Sequence, residues 1–169
     1  MTQLTEKYYR LLIRVSASLQ SPILLAVRLY WGWQFLQTGW AKLHDIGKVV
    51  NFFTKLGIPA PAFSAYFVSA LEFGGGVLLI LGLGSRLIAV PLVADMLVAY
   101  ITADREALFS IISNPDKFTA AAPYTFLVAS LIVLIFGPGK ISADALLTGR
   151  LGKRRIEPNL GRRSVAVRS

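Results

Sequence analysis

Four long apolar blocks constrain this chain more than any other feature. They run from about Pro22 to Ala41, Ala62 to Leu83, Leu87 to Ala103 and Phe118 to Phe136. A helix needs roughly 20 mostly apolar residues to cross about 30 Å of hydrocarbon. Inside lipid each backbone polar group must find its partner within the segment, and a helix achieves this. The expected fold is therefore all-α: an integral membrane four-helix transmembrane bundle. Composition agrees, with 54% hydrophobic and 16% charged residues. A soluble domain of this length would carry more charge on its surface.

The blocks divide the chain into three parts: residues 1–21, a membrane domain over 22–137, and a basic tail over 138–169. In the first part Leu4, Tyr8, Leu11, Leu12, Val15 and Leu19 step by three and four, with Lys7, Arg10 and Arg14 between them. That spacing predicts an amphipathic helix lying on the membrane interface. It is not the short apolar core and small-residue cleavage site of a secretory signal. Ser21-Pro22 reads as a fresh helix start, with Ser as cap and Pro in the first turn. Short interfacial helices are expected around Val49 to Leu56 and within Asp104 to Lys117. Gly82-Leu83-Gly84-Ser85 predicts a tight turn that makes spans two and three antiparallel neighbours.

The formal net charge of +9 is concentrated near the ends. Arg150, Lys153, Arg154 and Arg155 lie in the tail, the pattern that binds anionic lipid headgroups rather than nucleic acid. The N-terminal part, Arg86 and the tail together hold 12 Lys and Arg, against five in the opposite loops. The basic excess marks the cytoplasmic side, so both termini are expected in the cytoplasm of a bacterial inner membrane protein.

The chain has no cysteine and one histidine, His44. It therefore has no thiolate for a disulfide relay, iron–sulfur cluster or covalent haem, and His44 alone cannot give bis-histidine ligation. His44 reads as a solvated loop residue, and no metal site is expected. Gly74-Gly75-Gly76 lies inside the membrane with no lysine of a phosphate loop after it, so it reads as a packing seam.

Charges at mid-bilayer cost about 2.5–3.5 kcal/mol each on insertion scales. Arg28 in span one, Glu72 in span two and Asp95 in span three are the three such residues. Arg28, Gly32, Phe35, Gly39 and Lys42 fall on one helical face, and Glu72, Gly76, Leu79, Leu83 and Arg86 on another. Gly32, Gly39, Gly75 and Gly76 are the expected packing positions, because glycine lets backbones approach closely in lipid. The simplest arrangement sets Arg28 against Glu72, with Asp95 as a second acid. Such a group either locks helix register or forms a pocket for a ligand headgroup or a proton.

These residues also carry a resemblance. Arg28-Leu29, Gly32, Phe35, Gly39 and Lys42-Leu43 resemble the first-helix pattern of the DoxX family. Glu72, Gly75-Gly76, Leu81-Gly82-Leu83 and Arg86 resemble its second-helix pattern. Gly137-Pro138-Gly139-Lys140 with Ser142 and Asp144 resembles the ending after its fourth helix. The likeness spans roughly residues 22 to 147, and Asp95 has no match in the general pattern. It implies a small four-helix bacterial inner-membrane protein tied to membrane redox systems, some members being subunits of thiosulfate:quinone oxidoreductase.

Two functions are expected from the residues and the resemblance together. One is an oxidoreductase subunit that binds a quinone noncovalently at Arg28, Glu72 and Asp95. The other is a non-catalytic accessory subunit that docks on other membrane protein subunits and stabilises a larger complex. Transport of a small anion or proton ranks last, because neither broken helices nor paired repeats are evident.

Overall fold

The computed structural model describes residues 3–147, with side chains from residue 6 onward. Arg150, Lys153, Arg154 and Arg155 lie outside the described residues. The chain is an all-α membrane bundle, with helices α1 Gln3–His44, α2 Ile46–Lys55, α3 Pro61–Leu81, α4 Ser85–Thr102, α5 Arg105–Phe109, α6 Pro115–Ala120 and α7 Ala122–Phe136, and a further helical stretch over residues 143–147. Helices α3 and α4 and the 39-residue stretch Glu6–His44 of α1 are long and apolar enough to cross a bilayer, and α7 is apolar but shorter.

Two sequence expectations are corrected at prolines. Ser21-Pro22 does not start a helix; Pro22 lies inside α1. Proline there removes one bond to the preceding turn, a loss that helices in membranes tolerate. Ser21 Oγ instead accepts from the backbone N–H of Lys140 at 2.9 Å. At 42 residues α1 is about 63 Å long, roughly twice the thickness of the hydrocarbon. Residues 6 to 20 are all exposed. The fourth block is not one helix. It breaks at Ala121, which is extended with ψ 138°. Pro123 has no N–H to give the Thr119 carbonyl, and its ring would clash there, so α6 stops and α7 begins anew.

Packing follows the glycines. Buried residues on α1 are Leu24, Arg28, Gly32, Phe35 and Gly39, a single helical stripe. Gly39 lies so close to α3 that a Cβ would collide with the Phe73 backbone nitrogen and come within 2.8 Å of the Ser69 carbonyl oxygen. Gly76 meets Leu36 and Gly32 in the same seam, at 2.6 Å from a Cβ to Gly32 O. In lipid the hydrophobic effect does not drive helices together, so this backbone approach supplies the packing. Gly75 faces Leu92 on α4, while Gly74 faces open space. Phe35, Leu79, Ala89, Leu92, Met96 and Val133 fill the centre. Phe126 of α7 meets the Phe35 ring edge-on at 4.7 Å between centroids.

Candidate functional site

The expected Arg28–Glu72 pair does not form. Helices α1 and α3 run antiparallel, and their register sets Gly32 against Gly76 and Ile80, and Gly39 against Ser69 and Phe73. Arg28 is therefore level with Gly82, ten residues and about 15 Å along the axis from Glu72. Its guanidinium donates to the carbonyls of Leu79 (3.0 Å), Ile80 (3.4 Å), Ile141 (3.1 Å) and Pro138. The first two lie at the C-terminus of α3, where Leu79 O also accepts from the Gly82 N–H at 3.2 Å. A cation there also complements the helix dipole. Gly82 makes room for it: φ is +69°, and a Cβ would stand 2.6 Å from Arg28 Nη2.

The segment after α7 completes this end. Asp144 accepts from the N–H groups of Gly84 (2.8 Å) and Ser85 (3.2 Å) at the start of α4. Its own N–H donates to Gly82 O at 3.0 Å. Residues 138–144 thus form part of the bundle, and Arg28 is a capping group whose donors are engaged by backbone.

Glu72 finds a different cation. Lys42, one turn from the end of α1, donates to Glu72 Oε1 at 2.7 Å. The Glu72 side chain is only 4% exposed and that of Lys42 35%. Asp95 on α4 lines the same cavity as Glu72, close enough for the two carboxyl groups to interact. Glu72 Oε2 and Asp95 Oδ2 are both buried and receive no donor from the described residues. Two ionised carboxylates have no proton to give each other, so a donor must come from a proton held between them or from a ligand.

These three residues stand in the wall of a cavity of about 930 Å³, lined by the end of α1 and by α2, α3, α4 and α7. The rest of the lining is mostly apolar and aromatic, with Phe52, Phe53, Phe67, Leu71, Met96 and Phe126 prominent. Helix α2 roofs it. Lys48 lies at its rim, hydrogen-bonded to Asp45, which holds the ammonium above its usual range. Asp104 lies at the same rim. His44 is outside the cavity, its ring tilted against Trp40 at 4.6 Å. Among the described residues no His, Cys, Asp or Glu group has the makings of a metal site.

Sequence reasoning thus found Glu72 and Asp95 but gave them the wrong cation. Lys42 was visible on the same face as Arg28, fourteen residues on. The missing information was which end of that face lies beside Glu72. The phenylalanines of α2 and α3 carried no sequence signal, since any apolar stripe contains such residues.

Fold and site define a class: a helical membrane protein with an apolar cavity set over a buried carboxyl pair. The chain belongs to the DoxX family, whose model matches residues 23–105, a stretch that includes Lys42, Glu72 and Asp95. It is similar to an uncharacterized membrane protein of Mycobacterium tuberculosis, Rv3486, at 31% identity over 76% of this chain and 83% of the relative. It is also similar to a Bacillus subtilis protein named "Putative oxidoreductase CatD", at 28% identity over 71% of this chain and 83% of the relative. No solved structure matches it significantly.

Proposed function

We propose that this chain is the membrane subunit of a quinone-linked redox system of the bacterial inner membrane, with four crossings and both termini in the cytoplasm. The observation that carries this reading is the pair of buried, unpartnered oxygens, Glu72 Oε2 and Asp95 Oδ2, in the wall of an apolar, aromatic cavity. Such a cavity suits a flat apolar ring; Lys42 can donate to a carbonyl of the oxidised ring, and the unpartnered carboxyl oxygens can accept from the hydroxyls of the reduced one.

Each residue has a role in this reading. Lys42 Nζ keeps further hydrogens beyond the one given to Glu72 and donates to a ring carbonyl. The Glu72–Asp95 pair holds a proton within the cavity and exchanges it with water at the Lys48 and Asp104 rim. A bound quinone supplies an acceptor of two electrons and two protons. The electrons come from a redox partner, since a cysteine-free chain with one histidine lacks thiolate and bis-histidine centres. Arg28 serves the fold. The name of the Bacillus subtilis relative is in keeping with a redox assignment.

The test is extraction of quinone from protein purified with its native lipids, read by mass spectrometry. Wild type should carry quinone well above an unrelated membrane protein prepared alongside. Glu72→Gln and Asp95→Asn should lose it. Equal quinone in the wild type, both variants and the unrelated control would overturn the reading.

A second reading has its own observation. The stripe of Tyr8, Leu11, Leu12, Val15 and Leu19 on α1 is exposed. We propose that it lies on the membrane interface, where an accessory subunit would present it to a partner subunit. Native mass spectrometry separates the readings: a quinone-free chain found only within a larger complex favours the accessory role.

A further inference from the structure

Helices α3 and α4 leave their turn in close contact. A Cβ at Gly75 would stand 3.1 Å from Leu92 Cδ2 and 3.4 Å from Ile88 Cγ1. Toward their other ends the helices are parted by the cavity, which Phe63, Phe67 and Glu72 line from α3 and Asp95, Val98 and Thr102 from α4. Phe63, Phe67 and Val98 line it and are nonetheless well exposed, at 72%, 55% and 51%. Both helices are long and apolar enough to span a bilayer, so the medium outside this slot is lipid. The cavity lining therefore has two stretches of opposite character: a polar one at Lys48 and Asp104, and an exposed apolar one where the two spans part.

The rim is roofed. Helix α2 turns Val49, Phe52, Phe53 and Leu56 toward the cavity while burying no residue of its own completely. Its apolar face covers the cavity beside the Lys48 and Asp104 rim. The volume of about 930 Å³ lies near the upper end of the roughly 300–1,000 Å³ common for ligand sites. A bare ring at Lys42, Glu72 and Asp95 would leave much of that apolar wall uncovered.

We infer that the ligand of this site is a quinone with a long isoprenoid tail, which enters sideways from the bilayer between α3 and α4 and leaves its tail against Phe63, Phe67 and Val98 while its ring meets Lys42, Glu72 and Asp95. This rests on the ring site proposed above and adds the substrate class and the route. The tail never leaves an apolar medium along this path, so the hydrophobic effect neither favours nor opposes entry. Only the ring exchanges lipid for polar partners: a carbonyl of the oxidised ring accepts from Lys42, and the hydroxyls of the reduced ring donate to the carboxyl oxygens that lack donors.

Two photoreactive quinones, one with a diazirine at the tail end and one with it on the ring, test this on the full-length wild-type chain in phosphatidylcholine nanodiscs. Mass spectrometry of labelled peptides should place the tail label at Phe63, Phe67 and Val98 and the ring label near Lys42, Glu72 and Asp95. Val98→Trp narrows the slot. It should weaken binding of the tailed quinone about tenfold at equal mole fraction in the bilayer. The same ring without a tail should bind this variant within about twofold of wild type. Tail label confined to α2 and the Lys48–Asp104 rim would overturn the sideways route while ring binding stood. Failure of both quinones to bind wild type would overturn the ring site and this inference with it. Labelling uses the unaltered chain, so it decides the matter even if Val98→Trp does not fold.

Discussion

The two ends of the α1–α3 seam hold charges of opposite fate. At one end Arg28, 1% exposed, has four of its five N–H hydrogens engaged by backbone carbonyls. At the other, Glu72 has one oxygen on Lys42 and the other on nothing, beside an Asp95 with the same deficit. Both are ionisable residues inside a membrane helix, and residue type alone makes each a candidate for function. Satisfaction of hydrogen bonds separates them. A buried group whose partners are all present is architecture; one left short beside a cavity has capacity for a ligand.

The largest test of this contrast is Arg28→Leu. It takes a charged donor from the Leu79, Ile80, Pro138 and Ile141 carbonyls and unties the segment after α7, at a cost of about 3–5 kcal/mol. Thermal unfolding in detergent should show a severe loss of folded protein. A stable Arg28→Leu that merely failed to bind quinone would reverse the assignment of the two ends.

Next comes Gly39→Val, which drives a side chain into the Phe73 backbone and must separate α1 from α3. A loss of about 2–3 kcal/mol is expected, as for overpacked cores. Quinone binding should fall with it, because Lys42 rides on the same helix. Binding retained in full would mean that the seam does not position Lys42.

Glu72→Gln sharpens the contrast from the other side. Lys42 is partly exposed and can turn toward solvent, so stability should change by no more than about 1 kcal/mol. Copurified quinone should drop sharply. Destabilisation as deep as that of Arg28→Leu would make the Lys42–Glu72 contact a register lock instead.

The smallest effect lies outside the bundle and serves as a control. Glu106 accepts a hydrogen bond from Lys117, which with its charge holds the carboxyl below the usual range. A lowered folded value means that the contact's contribution is present above the unfolded Glu value and is lost as pH falls through the folded one. A carbon-detected NMR titration should place the Glu106 midpoint below that of a free glutamate, and Lys117→Ala should raise it. No change at Glu72 or Asp95 is expected from that variant.

Much of the architecture could be read from residues one at a time. Apolar block length announces helices that belong in lipid, and Gly82-Leu83-Gly84 announces the turn, where Gly82 and Gly84 have φ of +69° and +57°. Both are local properties: hydropathy summed over a window, and the freedom of a residue without a Cβ. The Pro22 and Ala121 corrections mark where locality fails. A proline that reads as a helix start is carried inside one helix, and an apolar run that reads as one helix is cut in two.

The charged residues show the same boundary more sharply. That Arg28, Glu72 and Asp95 must find partners follows from the cost of charge in lipid, and any sequence with those residues in those blocks carries that demand. Which partner each one meets depends on how far α1 slides along α3. The Gly32–Gly76 and Gly39–Phe73 approaches fix that slide in three dimensions. A shift of ten residues between levels moves a side chain about 15 Å. Helical periodicity names the face and leaves the depth open, so Lys42 rather than Arg28 stands beside Glu72.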